Sequence, residues 1–429
     1  MDMPEGGLAS VYEAIAQKAY DHALSLALQI VKNTPKNAKA HELLTHIHGQ
    51  LGQWQEMLAH AEMAASYGHI TPVIFKARAF RFWQQRRYDK ARAEMERAFE
   101  IFPEDHTLLL QILNYRLHEN LSRETYQEFL KDYSQTSSKM GGPANVELWR
   151  GQNIGDDSLF FLAIGGFGDV IMLSRFLPLI RKHGLCQGAI HIAVQPELLS
   201  LLSRSFGKDL TFQPITQGAQ SLGVLPGKKV YSAKIWYIPQ AFALPAGETV
   251  PYLFLDNRKK NEARKLLPKT ARARIGLIVH GDRDGGVYGL GRTQQIPLQT
   301  LACLRKLQGI DWLIMEPKAT TEKRRALCGA VCGQDVSGHI ADFDDWAALL
   351  AHCDAVVTID TGGLHLAGAM GIPGWLVLHN PVCWRWPKHD GSSGWYPQIR
   401  ILHHAGDWDY VGAQLVRQIG EWQCEKRFV

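Results

Sequence analysis

Two glycine-rich stretches carry residue types from which a site for an anionic ligand could be built. The first, LAIGGFGD at 162–169, ends in Asp169, and the second, DTGGLHL at 360–366, begins with Asp360 and reaches His365 about one helical turn later. Each stretch follows an apolar run and opens a helical pattern, so each predicts a strand followed by a helix. The N–H groups at the start of a helix favour a negatively charged group such as a phosphate.

The residues of the first stretch fit two interpretations. Gly166 and Gly168 permit a tight turn with close approach of the backbone to an anion. Asp169 at a helix start is equally explained as a cap, whose carboxylate accepts hydrogen bonds from backbone N–H groups. The stretch matches neither G-x-G-x-x-G nor G-x-x-x-x-G-K-[ST], so its glycines do not by themselves specify a nucleotide loop.

The second stretch places an acid at the end of an apolar strand pattern and places Thr361, Gly362 and Gly363 at the start of a helix. Such an arrangement can bind the hydroxyls or phosphates of one ligand, with backbone N–H groups on a diphosphate. His365 either adds a hydrogen-bond donor to this site or is a histidine satisfied inside its own helix.

The elements that must position these residues begin with a repeat. Aromatic residues recur every 34 positions, each followed three residues later by a small or flexible side chain: Tyr20 and Ala23, Trp54 and Met57, Tyr88 and Ala91. A period of this length is typical of stacked helical hairpins. The pattern resembles the tetratricopeptide repeat over residues 8–135, with a weaker fourth unit near Tyr126. We therefore predict an all-α domain at 1–135 that binds a protein, with a structural or dimerising role as the alternative.

After the repeats, short apolar runs alternate with helical patterns from Asp157 onward, which favours parallel sheets built from strand–helix–strand crossovers. The charged helical segment RKKNEARKLLPKTAR at 258–272 separates two such series. We predict two doubly wound α/β domains of Rossmann-like type, at 157–262 and 263–429, joined to the repeats by a linker at 136–156. Ligands bind such sheets at the carboxyl ends of the strands, so the two glycine-rich stretches are expected to face each other across a cleft.

The composition excludes several classes of function. The 429 residues are 46% hydrophobic and 21% charged, which is typical of a soluble globular protein. No apolar run approaches the roughly 18 residues of a membrane span and no signal pattern precedes the repeats, so we expect a cytoplasmic protein with no integral membrane segment. The net charge of +5 is too small to indicate nucleic acid. The seven cysteines lack zinc-ligand spacing and are predicted to be buried free thiols.

Taken together, the two stretches resemble the paired signatures of glycosyltransferase family 9, the heptosyltransferase-like group with the GT-B fold. Residues 166–169 match the family pattern G-x-G-D, and residues 360–366 match D-T-G/A-x-x-H-L. The segments WRW at 384–386 and SGWYP at 393–397 are similar to those of family members that also carry tetratricopeptide repeats. The resemblance covers nearly the whole chain.

This resemblance implies an inverting glycosyltransferase that uses a nucleoside-diphosphate sugar as donor and no metal ion or other cofactor. Asp169 would be the general base that removes the proton of an acceptor hydroxyl. Helix N–H groups and cationic side chains would stabilise the departing diphosphate. The acceptor would be a protein presented by the repeats, and the chain could form a homo-oligomer. The residues expected to bind the donor are Gly166, Gly168, Arg283, Arg292, Asp360, Thr361, Gly362, Gly363 and His365.

Several of these assignments have alternatives in the residues themselves. Arg283 and Arg292 are also explained as solvated loop arginines. Trp384 and Trp386 either line a base or sugar pocket or pack against the sheet. The acids of DFDD at 342–345 are predicted to be first-turn helix residues, not D-x-D metal ligands.

Some positions depart from the family pattern. Gly166 stands where relatives with repeats usually have an acidic residue, Cys383 stands where an aspartate would precede WRW, and residues 285–291 form a glycine-rich insertion. These departures leave a non-catalytic interaction protein, with repeats and a degenerate transferase-like domain, as the alternative function.

Overall fold

The computed structural model describes residues 6–85, 87–120, 122–128, 146–163, 165–215, 228–242, 250–281, 294–379, 384–386, 391–404 and 407–426. These residues fall into two compact units. The first unit is made of α-helices. The second unit holds residues 122–128 together with two parallel β-sheets.

The first unit consists of helical hairpins whose second helices begin at the repeated aromatic residues. Tyr20, Trp54 and Tyr88 are the first residues of α2, α4 and α6. The helices are α1 (Gly6–Ala16), α2 (Tyr20–Asn33), α3 (Ala38–Leu51), α4 (Trp54–Ser66), α5 (Pro72–Gln84), α6 (Tyr88–Ile101) and α7 (His106–Glu119). The predicted tetratricopeptide-like architecture is therefore confirmed.

Small side chains set the close spacing of these helices. Ala23, Ala91 and Ala98 are fully buried at the contacts between neighbouring helices. Because alanine projects no further than its Cβ, two helix backbones can approach closely there, and larger rings fill the remaining space. The Tyr88 ring, for example, meets the Trp83 ring edge-on with centroids 5.2 Å apart.

Three histidines of α3 and α4 lie ring against ring in this unit. His41 Nδ1 and His60 Nδ1 are 2.8 Å apart, and the rings of His48 and His60 stack with centroids 5.2 Å apart. The pKa of His60 is lowered to about 4, first by burial and then by His41 and His48, whereas Glu56 acts in the opposite direction. The folded unit therefore contains a neutral His60 at neutral pH.

We expect the folded state to lose stability as the pH falls from about 6.5 towards about 4. In this window the unfolded chain protonates His60 and the folded chain does not, so protons favour unfolding. The substitution His60→Gln should make the loss of unfolding free energy over this pH range smaller by about 1 kcal/mol. This value is already reduced for the partial exposure of the ring. Urea unfolding at about pH 7 and about pH 4.5 measures it. The exposed His22→Gln is the control, and equal pH dependence in both variants would contradict the assignment.

The first sheet of the second unit has five parallel strands in the order β1-β5-β2-β3-β4. Its strands and helices are β1 (Val146–Leu148), β2 (Ser158–Ala163), α8 (Phe167–Ser174), α9 (Leu177–Lys182), β3 (Ile190–Val194), α10 (Pro196–Phe206), β4 (Thr211–Pro214) and β5 (Val230–Lys234). The predicted alternation of strands and helices after Asp157 is present here.

The edge strand β1 lies inside the range 136–156 that the sequence assigns to a linker, so the linker assignment is wrong for these residues. Val146 to Leu148 pair with β5 in parallel register, which gives the backbone groups of both strands hydrogen-bond partners. Trp149, directly after β1, is fully buried and meets the Phe161 ring edge-on at 5.5 Å. Packing of this ring adds the strand to the sheet despite the polar, glycine-containing sequence around it.

The second sheet has six parallel strands in the order β10-β9-β6-β11-β12-β13. This order corresponds to 3-2-1-4-5-6, the arrangement of doubly wound nucleotide-binding domains. Its elements are α11 (Asn257–Lys265), β6 (Ala273–Ile278), α12 (Leu298–Ala302), β9 (Ile310–Ile314), α13 (Thr321–Val331), β10 (Gln334–Asp335), α14 (Phe343–Leu350), β11 (Ala355–Thr358), α15 (Gly362–Ala369), β12 (Gly374–His379), β13 (Ile399–His404) and α16 (Trp408–Lys426). A separate antiparallel pair is formed by β7 (His280–Gly281) and β8 (Gln294–Gln295).

Acids at the start of α14 pair with cations of both sheet-containing lobes. Asp344, in the first turn of α14, is 2% exposed and accepts both ends of the Arg204 guanidinium from α10, at 2.5 and 2.6 Å. Lys259 of α11 lies 2.7 Å from Asp345 Oδ1. Asp342 caps α14 by accepting a hydrogen bond from the Asp345 N–H group at 2.8 Å. The acids of residues 342–345 therefore cap a helix and pair with cations, as their place at a helix start predicts.

The expectation that the cysteines are buried is only partly correct. The six described cysteines are free thiols, and Cys186 is buried, whereas Cys332 and Cys424 are exposed. Cys332 follows the last residue of α13 in a left-handed conformation with φ 55°, and Cys424 lies near the end of α16. Both positions are helix ends on the surface, where burial is not required.

No helix in the described part of the chain is long and apolar enough to cross a bilayer.

Candidate functional site

Both glycine-rich stretches lie where the strand order of a sheet reverses. In the first sheet the reversal falls between β2 and β5, and residues 165–169 directly follow β2. In the second sheet it falls between β6 and β11, and residues 359–365 directly follow β11. The segments that follow the two neighbouring strands run in opposite directions from such a point, so a crevice opens between them at the carboxyl ends of the strands. Doubly wound sheets bind their ligands in this crevice.

A glycine in a left-handed conformation opens the first loop. Gly165 has φ 138°, and a Cβ on it would lie 3.2 Å from Nε1 of Trp236, so both the conformation and the available space favour glycine. Gly166 is the capping residue of α8, and Asp169 lies in the first turn of that helix. Asp169 is therefore not the cap. Its side chain keeps 18% of its surface exposed.

The second loop brings a buried acid to the start of α15. Asp360 follows β11 by two residues and is buried, and Thr361 precedes the helix start at Gly362. A Cβ on Gly363 would lie 2.6 Å from Cζ2 of Trp346, so glycine permits the packing of α15 on α14. Within the described residues, no side chain caps α15. An uncapped helix start of this kind favours an anionic group.

The two loops are in contact with each other. Helix α8 packs against α15, and Gly168 lies so close to His365 that a Cβ on Gly168 would overlap the imidazole ring. A Cβ on Gly362 would lie 3.5 Å from the Cβ of Phe167. The structure thus brings together the predicted site residues of the two stretches, from different lobes, at one place.

An arginine that sequence reasoning missed connects the two acids of the site. Arg385 Nη1 donates a hydrogen bond to Asp169 Oδ1 at 2.6 Å, and Nη2 donates to Asp360 Oδ2 at 3.3 Å. Only 10% of the Arg385 side chain is exposed. The available signal was a cation between Trp384 and Trp386, because a charged residue within a buried aromatic segment needs an acidic partner.

His365 is buried with both ring nitrogens near polar groups of the same lobe. Its Nδ1 lies 3.0 Å from the hydroxyl of Tyr396, and its Nε2 lies 3.5 Å from Asp360 Oδ1. Burial lowers the pKa of His365, and the hydrogen bond and charge of Asp360 act in the opposite direction. These contacts fit the interpretation of a satisfied helix histidine, and contact of His365 with a donor stays a prediction.

The two tryptophans beside Arg385 are buried and pack against other rings. Trp386 stacks on His365 with centroids 5.7 Å apart. Trp384 lies edge-on to Trp395 at 6.0 Å and to Tyr126 at 6.2 Å. These contacts account for both indoles by packing, which was the structural alternative for them.

Two of the predicted donor-binding residues, Arg283 and Arg292, lie outside the described residues. The same holds for the glycine-rich insertion at 285–291 and for Cys383.

Sequence reasoning also missed Glu316, a buried acid that follows β9. Its Oε1 accepts hydrogen bonds from the N–H groups of Val279 and His280, the latter at 2.8 Å, and so supports the backbone after β6 at the edge that carries the site.

One segment of the second lobe matches a family of known enzymes. The family model described as glycosyltransferase family 9 (heptosyltransferase) matches residues 309–375. This segment runs from β9 to the start of β12 and contains Asp360 and His365. The match confirms the predicted resemblance to family 9. The chain is a glycosyltransferase with tetratricopeptide-like repeats followed by the two Rossmann-like domains of the GT-B fold.

Solved structures that align with this chain include other transferases. The ADP-heptose lps heptosyltransferase II of E. coli is 16% identical, and the alignment covers 63% of this chain and 99% of that one with a TM-score of 0.47. A family 9 glycosyl transferase of Veillonella parvula is 10% identical over 62% and 90%, with a TM-score of 0.44. The O-GlcNAc transferase of Thermobaculum terrenum is 12% identical over 98% and 92%, with a TM-score of 0.37. At such low scores we conclude nothing about substrate from them. A search among curated proteins found no match.

We expect Gly168→Ala to force the two loops apart. The added methyl group meets a buried imidazole that Tyr396 and Asp360 hold in place, so the variant should lose about 1 to 3 kcal/mol of stability. Thermal unfolding measures this loss as a lower Tm. Gly329→Ala in α13 is the matched control, because nothing lies within 4 Å of a Cβ there. Alanine is also the better helix former, so this control should be unchanged or slightly more stable. An unchanged Tm for Gly168→Ala would contradict the close contact.

Proposed function

We propose that this glycosyltransferase moves a sugar from a nucleoside-diphosphate donor to an acceptor hydroxyl, with inversion and without a metal ion. The observation that supports the proposal is the packing of α8, which carries Asp169, against α15 where both sheets reverse their strand order. One loop offers a partly exposed carboxylate, and the other offers an uncapped helix start. These are the two groups that such a transfer requires on opposite sides of the anomeric carbon.

In the proposed reaction Asp169 accepts the proton of the acceptor hydroxyl while the hydroxyl oxygen bonds to the anomeric carbon of the sugar. The bond from that carbon to the diphosphate oxygen breaks, and its electron pair leaves with the diphosphate. A single displacement inverts the configuration at carbon. One carboxylate is therefore sufficient, whereas hydrolysis of glycosides uses two.

The donor is assigned to the second loop. The N–H groups after Thr361, at Gly362 and Gly363, would bind the diphosphate and stabilise the charge that develops on it. Asp360 and His365 would contact the remaining part of the donor. Arg283 and Arg292 are retained as proposed cationic partners of the diphosphate. The backbone of Gly166 and Gly168, at the start of α8, would approach the donor closely.

We place the acceptor hydroxyl on a protein that the repeats bind. Stacked helical hairpins form extended surfaces suited to peptides, which supports this choice. Assembly into a homo-oligomer and a cytoplasmic location remain expectations from the sequence.

Two measurements on the full chain test the proposal. In the first, ADP, GDP, UDP and CDP are screened by thermal shift, because a ligand that binds only the folded state raises Tm. In the second, release of the nucleoside diphosphate from the matching sugar nucleotides is followed, and the anomeric configuration of the product is read by NMR. Asp169→Asn should lower turnover by about 100-fold to 10,000-fold with nucleotide binding retained.

Asp209→Asn, an exposed acid in the same lobe, is the control and should turn over donor like the parent protein. Absence of a thermal shift with every nucleoside diphosphate would refute the proposed donor class. Binding without any turnover, unaffected by Asp169→Asn, would instead support the non-catalytic interaction protein.

A further inference from the structure

Arg385 is shared by two acids that come from different lobes. The Nη1 group pairs with Asp169 of α8, and the Nη2 group pairs with Asp360 beside α15. Asp360 is almost fully buried, and Asp169 is largely so. Two carboxylates at such a short distance from one cation would repel each other without it, and the cost of that repulsion rises with burial.

The shape of the guanidinium matters as much as its charge. Arginine presents several N–H groups in a rigid plane, so its two terminal nitrogens can hold two oxygen atoms at a set separation. A lysine ammonium is a point charge on a flexible stem and does not impose such a separation. The two terminal nitrogens of Arg385 contact one oxygen of Asp169 and one oxygen of Asp360 at the same time.

The backbone on both sides of Arg385 is anchored by the neighbouring indoles. Trp386 stacks on His365 of α15, and Trp384 packs edge-on to Trp395. The Trp395 carbonyl in turn accepts a hydrogen bond from Nη1 of the buried Arg175, in the other lobe, at 2.9 Å. The backbone from which the Arg385 side chain extends is therefore fixed by packing on both sides.

We propose that Arg385 is a positioning residue for the transfer reaction. It holds the Asp169 carboxylate at a defined place relative to Asp360 and so directs the base towards the sugar carried by the donor loop. This inference rests on the proposed function. Arg385 acts through Asp169 and is not assigned a contact with the sugar.

Two variants separate the charge of Arg385 from its shape. Arg385→Gln keeps an N–H donor but removes the charge, and Arg385→Lys keeps the charge but removes the two-ended geometry. We expect Arg385→Gln to lower kcat by about 100-fold, since a misplaced catalytic group costs on this order. The KM for the donor and the Kd for ADP, GDP or UDP, measured by calorimetry, should change little. Arg385→Lys should recover part of kcat.

The matched control is Arg204→Gln, which removes another charged pair between the lobes, at the buried Asp344. It should lower Tm at least as much as Arg385→Gln while leaving kcat close to that of the parent protein. Equal losses of kcat in the two variants would show that Arg385 only holds the lobes together and would overturn the proposal. A rise in KM with kcat unchanged would also overturn it.

Crystal structures of the parent protein and of Arg385→Gln decide the matter independently of activity. A displaced Asp169 carboxylate in the variant supports the inference, and an undisplaced one overturns it. If no sugar nucleotide is turned over by the parent protein, the proposed function fails, whereas the position of this carboxylate still tests the role of Arg385.

Discussion

The site depends on the balance of charge where two lobes meet. Asp169 and Asp360 come from different lobes, and each lies at the start of a helix in a region largely removed from water. One guanidinium, that of Arg385, neutralises part of this charge and links the acids directly. Because a buried carboxylate without a partner is strongly unfavourable, this link couples the relative position of the two loops to the chemistry they can perform.

Steric constraints act together with this charge balance. Gly168 lies where α8 of the opposite lobe meets His365 of α15, and Gly363 lies where the Trp346 ring packs on α15. A methyl group at either position would collide with that neighbouring ring. The glycines are thus needed for packing between elements, in addition to any closeness to a ligand. Aromatic rings beside Arg385, among them Trp384 and Trp386, exclude water. They thereby strengthen the ion pairs of Arg385 with Asp169 and Asp360.

Much of the architecture followed from local patterns. The aromatic residue of each repeat marked the start of the second helix of a hairpin, because it recurs with the period of the repeat. The apolar runs near Phe161 and Val357 formed central strands because strands covered on both faces are continuously apolar. Strand β1 could not be found in this way, because an edge strand of three residues has no pattern of its own and depends on its pairing with β5.

The sequence by itself determined the repeat period, the two strand–helix series and the positions of Asp169, Asp360 and His365 at junctions from strand to helix, because these follow from spacing along the chain. Only the tertiary structure decided that both loops occupy the reversal points of their sheets and that α8 meets α15. It also decided that Arg385 pairs with Asp169, 216 residues away along the chain. Contacts between residues so far apart are set by how the sheets pack and by where buried charges find partners, and neither leaves a local pattern in the sequence.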